Sequence, residues 1–231
     1  MHTSIGRRTL IQLGGVAAMA LAVNAAQAQT SAPAGSYQIK PLPFDPKSIK
    51  GLSEKILVSH HDNNYAGAVK RLNAISAQWA ALDVAKASVF TINGLKREEL
   101  IAMNSMILHE VYFDSLGKGG NPAGELASAI SRDFGSLDRW RGGFSAMGKA
   151  EGGGSGWVLL TWSPHDKRLI NQWAADHTNS VAGGRPILAL DMYEHSYHMD
   201  YGASVGGYVD AFMQTINWDG ASAKFDDYSR S

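Results

Sequence analysis

In the segment LALDMYEHSYHMDYG, from Leu188 to Gly202, a carboxylate at Asp191 stands four residues before an imidazole at His195, at the end of an apolar run. A carboxylate at a strand end, followed one helical turn later by an imidazole, can aim both side chains at one point. Two distant histidines, His60 and His109, sit in segments that could complete a set of three imidazoles and one carboxylate. Neutral imidazole and ionised carboxylate suit iron, manganese or zinc, and four protein ligands with room for a water leave a position open for chemistry. The chain has no cysteine, which excludes disulfides, thiolate nucleophiles, iron–sulfur clusters and Cys-type zinc sites. Any metal must therefore be held by His, Asp or Glu. On spacing alone, a capping aspartate and a histidine satisfied inside the fold would account for the same residues.

The elements that must position these residues are readable in outline. Thr30 to Lys47 is rich in Ser, Ala and Pro and reads as an extended arm. A long helix is predicted from about Ser53 to Leu82, then a turn around Asn93-Gly94 and a second helix from about Lys96 to Leu116. After the loop GKGGNPAG, two shorter helices are predicted over roughly 125–134 and 137–149, separated by Gly135-Ser136. Beyond a glycine cluster at Gly152 to Gly156, strands are predicted at Trp157–Trp162, Arg168–Trp173 and Pro186–Leu190, the last ending at Asp191, and 194–216 reads as mostly helical. This order predicts an α+β fold: an all-helical N-terminal hairpin domain over 48–120, then an α/β domain over 121–231 with a small three-stranded antiparallel sheet.

On the second helix, Leu100, Met103, Ile107 and Val111 form an apolar stripe, and His109 lies on the opposite side with Ser105, Tyr112 and Leu116. A helix that is largely apolar all round is expected to be buried, and an imidazole inside it needs a partner. That partner is a carbonyl, a carboxylate or a metal. On the first helix His60 shares a face with Ile56, Asn64, Gly67, Ala68 and Arg71, whereas His61 points about 100° away.

With 21 basic and 21 acidic residues the formal net charge is zero, so nothing points to nucleic acid or to an anionic membrane surface. The N-terminus reads as an export signal over residues 1–28. Arg7-Arg8 precede a mild apolar stretch from Leu10 to Val23, and Ala26-Gln27-Ala28 supplies a small-residue cleavage pattern. The paired arginines resemble a twin-arginine signal, and an ordinary secretory signal fits the same residues. The stretch is short and Gly/Ala-rich for a membrane span. The expectation is a periplasmic or secreted mature chain with an arm over 29–47 and no membrane segment, exported by the twin-arginine machinery.

The segments NPAGELASAISRDFGSLDRW, GGSGWVLLTW, LALDMYEHSYHMDYG and INWD, in this order, resemble the iron/manganese superoxide dismutase family from Leu42 to Asp219. DMYEHSY is similar to the family's DVWEHAY. The resemblance implies one iron or manganese ion per subunit, held by His60, His109, Asp191 and His195. It implies superoxide as substrate, in a cycle in which the trivalent metal oxidises one superoxide to oxygen and the divalent metal reduces a second to hydrogen peroxide. A gap-free alignment of the first helix puts His60 on the ligand, with Asn64 and Ala68 in place of a histidine and the gateway tyrosine. An alternative register requires an inserted residue within a helix and leaves Leu57 as the ligand, and a leucine cannot bind metal. Tyr65, near the vacated gateway space, becomes a catalytic candidate or a packing residue. The family glutamine that contacts metal-bound solvent is replaced by Ser105 at its helix position and His177 at its sheet position, making His177 the candidate for that contact. Asn64, Tyr193 (a tryptophan in the family) and Trp157 surround the ligands. Glu194 and His198 fall at positions that meet a second subunit, implying a homodimer. A metal-binding protein on the same fold with little dismutase activity is the alternative, since the gateway pair has changed. A zinc hydrolase would need a carboxylate placed as general base beside the open position.

Overall fold

A computed structural model describes residues 36–151 and 153–230; the export signal and the first part of the arm lie outside the described residues. From the arm the chain enters a helical stretch capped by Ser53, whose hydroxyl accepts the Ile56 N–H at 3.2 Å. This stretch comprises α1 (Glu54–Ser59), a π-helical turn (His60–Tyr65) and α2 (Ala66–Ala80). It matches the predicted long helix, with one difference: the wide turn accommodates an extra residue. An insertion within this helix is therefore no obstacle, but the alternative register still leaves Leu57, which has no donor atom, as the ligand, whereas His60 lies with His109, Asp191 and His195.

The antiparallel partner α3 (Val89–Ser115) starts at a Ser88 cap and runs through Asn93-Gly94, where a turn was expected. A Gly in a helix interior costs only about 1 kcal/mol, which the remaining turns of a 27-residue helix absorb. Nor is α3 buried all round: Leu100 and Ile107 of the expected apolar stripe are exposed, and the buried face carries Ala102, Ser105, Met106, His109, Tyr112 and Phe113.

Helices α4 (Gly124–Phe134) and α5 (Leu137–Ala150) follow, separated by Gly135 at φ 88° and the Ser136 cap. The sheet is β1 (Trp157–Ser163), β2 (Arg168–Ala174) and β3 (Arg185–Asp191), antiparallel in the order β2-β1-β3. Central β1 is buried along its whole length. Its register sets Trp157 opposite Asp191, with a bulge between Leu160 and Thr161. The chain ends in the short α6 (His198–Tyr201), α7 (Val205–Gln214) and α8 (Trp218–Arg230). The last was not predicted.

Helix α3 is joined to the sheet at its C-terminal end. The Ser115 hydroxyl donates to Val111 O at 2.7 Å and accepts the Ala189 N–H at 3.1 Å, and Asn217 N donates to Ser115 O at 2.8 Å. These bonds hold the helix carrying His109 at a fixed offset from the strand that ends at Asp191. Buried Phe144, Phe212, Leu126, Ile130 and Trp140 fill the space around them, each contributing about 1.5–3 kcal/mol of apolar burial.

Candidate metal centre

Four side chains from four places in the chain converge. His60 opens the π-turn, His109 lies on the buried face of α3, Asp191 ends β3, and His195 sits in the 3-10 turn Glu194–Ser196. One atom of each lies within 4.8 Å of all the others. The Nε2 atoms of His60, His195 and His109 stand 3.1, 3.3 and 3.7 Å from a single oxygen, Asp191 Oδ2. His60, His109 and Asp191 are buried, while the His195 side chain is 27% exposed.

The other polar atoms of His109 and Asp191 are committed elsewhere, so that one atom of each faces inward. His109 Nδ1 donates to Ser105 O at 2.6 Å, so Nε2 carries the lone pair, yet that buried atom has no hydrogen-bond partner among the described residues. Buried polar atoms are normally paired. A cation is the partner that this donor set fits. Asp191 Oδ1 accepts the Tyr193 N–H at 2.8 Å, and its backbone carbonyl accepts Ser196 Oγ at 2.8 Å and Tyr208 Oη at 2.7 Å, leaving Oδ2 for the site.

The electrostatics agree with this. Burial pushes His60 below its ordinary value, against the attraction of Asp191. Burial, reinforced by repulsion from His60, pushes His109 down to about 3. Both imidazoles are therefore neutral and able to bind a metal. Burial alone would raise Asp191, but His195 and His60 at its carboxylate overcome this and hold it well below the usual carboxylate range. The result is one negative charge beside the neutral imidazoles of His60 and His109, a pocket suited to a cation.

His177 lies beside this group, its ring 6.2 Å from that of His109. Trp157 Nε1–H donates to His177 Nδ1 at 3.0 Å, which makes Nδ1 the acceptor and leaves the ring proton on Nε2. Tyr193 stacks on His177 at 4.7 Å and 14° and on His195 at 5.4 Å and 16°, so the tyrosine at the family's tryptophan position packs the two rings in one column. Burial lowers His177.

Tyr65 is buried at the end of the π-turn with its ring 6.5 Å from His109. Its hydroxyl accepts the Lys40 N–H at 3.0 Å and donates to Glu110 at 3.0 Å, and burial pushes it up to about 12. His61 points away from the centre and donates through Nε2 to Lys40 O at 2.7 Å. Asn64 is half-buried and Ala68 buried, while Glu194 and His198 are exposed on the flank of His195. Lys40, Glu110, Asn104 and Ser105 O have no motif of their own. Only the helical spacing of Ser105 from His109 could have been read beforehand.

Residues 122–224 match the family described as iron/manganese superoxide dismutases, C-terminal domain. The chain is 68% identical to "Superoxide dismutase [Fe]" of Cupriavidus metallidurans over 189 residues, covering 82% of this chain and 96% of that protein. It is 34% identical to "Superoxide dismutase [Mn] 2" of Haloferax volcanii (83% and 96% covered) and 30% identical to "Superoxide dismutase [Fe]" of Pyrobaculum aerophilum (79% and 89%). A site of three imidazoles and one carboxylate, framed by a helical hairpin and a three-stranded sheet, thus occurs in a chain that belongs to the iron/manganese superoxide dismutase family.

Proposed function

We propose that the protein is a superoxide dismutase holding one iron or manganese ion per subunit on His60, His109, Asp191 and His195. The observation that carries this reading is the buried Nε2 of His109, without a protein partner and directed with two other imidazoles at one carboxylate oxygen. An ion held by these residues would supply one-electron redox chemistry, by which two superoxides and two protons give oxygen and hydrogen peroxide.

The chain's own residues supply the remainder. Asp191 offsets part of the metal's charge. His177, with its proton on Nε2, offers a donor to solvent or peroxide on the open side, and Trp157 holds that tautomer. Tyr193 fixes the His177 ring by stacking, and Asn64 lies within the turn that His60 opens. Tyr65 lines the wall near His109 at the end of the same turn, and its hydroxyl donates to Glu110 of the surface pair Lys40–Glu110.

A homodimer is supported by the exposure of His195 when the other three donors are buried. A second copy laid over Glu194 and His198 would cover that ring, and its Glu194 could take the proton on His195 Nδ1. Among the described residues no helix is long and apolar enough to cross a membrane. The Arg7-Arg8 pair and the Ala26-Gln27-Ala28 pattern support twin-arginine export to the periplasm or beyond, which cell fractionation with and without Arg7→Lys/Arg8→Lys would check.

The central test is to load the mature chain with iron or manganese, assay superoxide dismutation, and repeat with His109→Ala. Loaded wild type no faster than the variant would overturn the enzyme. Metal retained without dismutation would identify a metal-binding protein on this fold.

A further inference from the structure

Resting on the reading of His177 as the donor on the open side, we propose that Asn104 is the positioning residue that sets how closely His177 approaches the metal centre. Asn104 Nδ2 donates to the backbone carbonyl of His177 at 2.6 Å, joining α3 to the loop after β2.

His177 needs two restraints. Its ring rotation and tautomer are set from the sheet, by Trp157 Nε1–H on Nδ1. Its distance from the donors requires a tie to an element that carries one of them. The loop's own bonds do not provide it. Asp176 Oδ1 accepts from Thr178 N and Oγ1 at 2.7 and 2.6 Å, and Gln172 Nε2 donates to Asn179 O at 3.2 Å; these shape the loop and link it to β2. Tyr193 holds the ring from the Asp191–His195 side by stacking, whereas Asn104 ties the backbone of His177 to the helix that carries His109, five residues away. At 1.5 Å per residue the offset along the axis is about 7.5 Å.

The neighbouring residue gives the tie its purpose. At position 105 the helix carries only a serine, whose carbonyl is already taken by His109 Nδ1. The short side chain leaves the space beside His109 to a ring from another element, and that ring must be held at depth by something else. Helix α3 thus does not reach the open side itself, and one residue earlier it grips the backbone of the residue that does. An amide suits this role because it is uncharged and presents two N–H donors to a carbonyl.

The test uses the full mature protein loaded with manganese or iron, comparing wild type, Asn104→Ala, His177→Ala and the double variant. The readouts are the reduction potential of the metal, the visible spectrum, and the 15N signals of the His177 ring in the metal-free protein. Asn104→Ala is expected to shift potential and spectrum, to cut dismutation about tenfold, as loss of an outer hydrogen bond does, and to have no further effect when His177 is already alanine. Unchanged potential and ring signals in Asn104→Ala, or additive effects in the double variant, would overturn the proposal. If His177→Ala alone leaves the potential unchanged, the role given to His177 fails; the anchoring role then stands or falls on whether Asn104→Ala moves the ring signals. Should Asn104→Ala not fold, Asn104→Asp, which keeps the size and loses the donors, replaces it. In wild type, slow exchange of the Asn104 side-chain amide is expected, and fast exchange would count against the bond.

Discussion

Among the described residues, the buried side chains of His109 and Glu151 both keep polar atoms without a hydrogen-bond partner, and replacing each should have opposite results. For His109→Ala the expected loss of metal affinity exceeds the 10–100-fold typical of a supporting residue, checked by elemental analysis after dialysis against a weak chelator. Glu151 stands at the end of α5 against Gly156, and a Cβ on Gly156 would lie 2.1 Å from its Oε1. Burial pushes its carboxyl up to about 8, with the Trp157 N–H dipole opposing. The folded chain therefore keeps a proton that the unfolded chain releases near pH 4.5, so this group's contribution to stability falls as pH rises from about 4.5 to 8. Glu151→Gln has no proton to lose and should flatten that fall, so the variant gains on wild type by at most about 1.4 kcal/mol per pH unit between pH 5 and pH 8. Denaturant midpoints at pH 5 and pH 8 would show it, and equal differences at both would refute it.

The arm and the π-turn act together at the scale of elements. Tyr37 exchanges two hydrogen bonds with the Asn73 side chain, at 2.8 and 2.9 Å, while Lys40 takes His61 on its carbonyl and gives its N–H to Tyr65. The arm therefore braces the turn that presents His60. Tyr65→Phe removes two of the bonds at this junction and should cost about 1–2 kcal/mol, with faster amide exchange concentrated at Lys40 and its neighbours; unchanged exchange there would contradict the bracing. Much at this scale was legible in the sequence. Apolar runs and turn residues located all three strands, the Gly135-Ser136 break located α4 and α5, and the motif around Asp191 located two donors at once. The π-turn was not legible, because a residue inserted into a helix leaves its composition unchanged. Asn93-Gly94 misled because a strong local turn preference is overridden inside a long packed helix. Helix α8 is mostly polar, and only Trp218, Ala221 and Phe225 mark its buried side. Asn104 and Glu110 acquire their partners only once distant segments have packed.

For the whole molecule, metal occupancy and stability should be linked. Free metal at a hundred times its dissociation constant stabilises the native state by about 2.7 kcal/mol, which for a domain of this size raises the midpoint by roughly 5–10 °C. Thermal scans before and after metal removal measure it. Acid should work against the metal-free protein. His60 and His109 have folded-state values below their ordinary 6.5, His109 at about 3. The unfolded chain therefore takes up protons first, and stability declines as pH falls from about 6.5 towards 3. Denaturant midpoints at pH 7 and pH 4 would test this, and no decline would exclude buried neutral imidazoles.

The pairing of Trp157 with Asp191 across β1 and β3 has a further consequence. One rung of the sheet carries both the carboxylate of the donor set and the indole that orients His177, and His60 meets that carboxylate from 131 residues away. A slip of one residue between the two strands would turn one of these side chains to the opposite face from the other. The chain cannot present its donors before it has chosen the correct strand alignment, so uptake of the ion certifies that folding has finished.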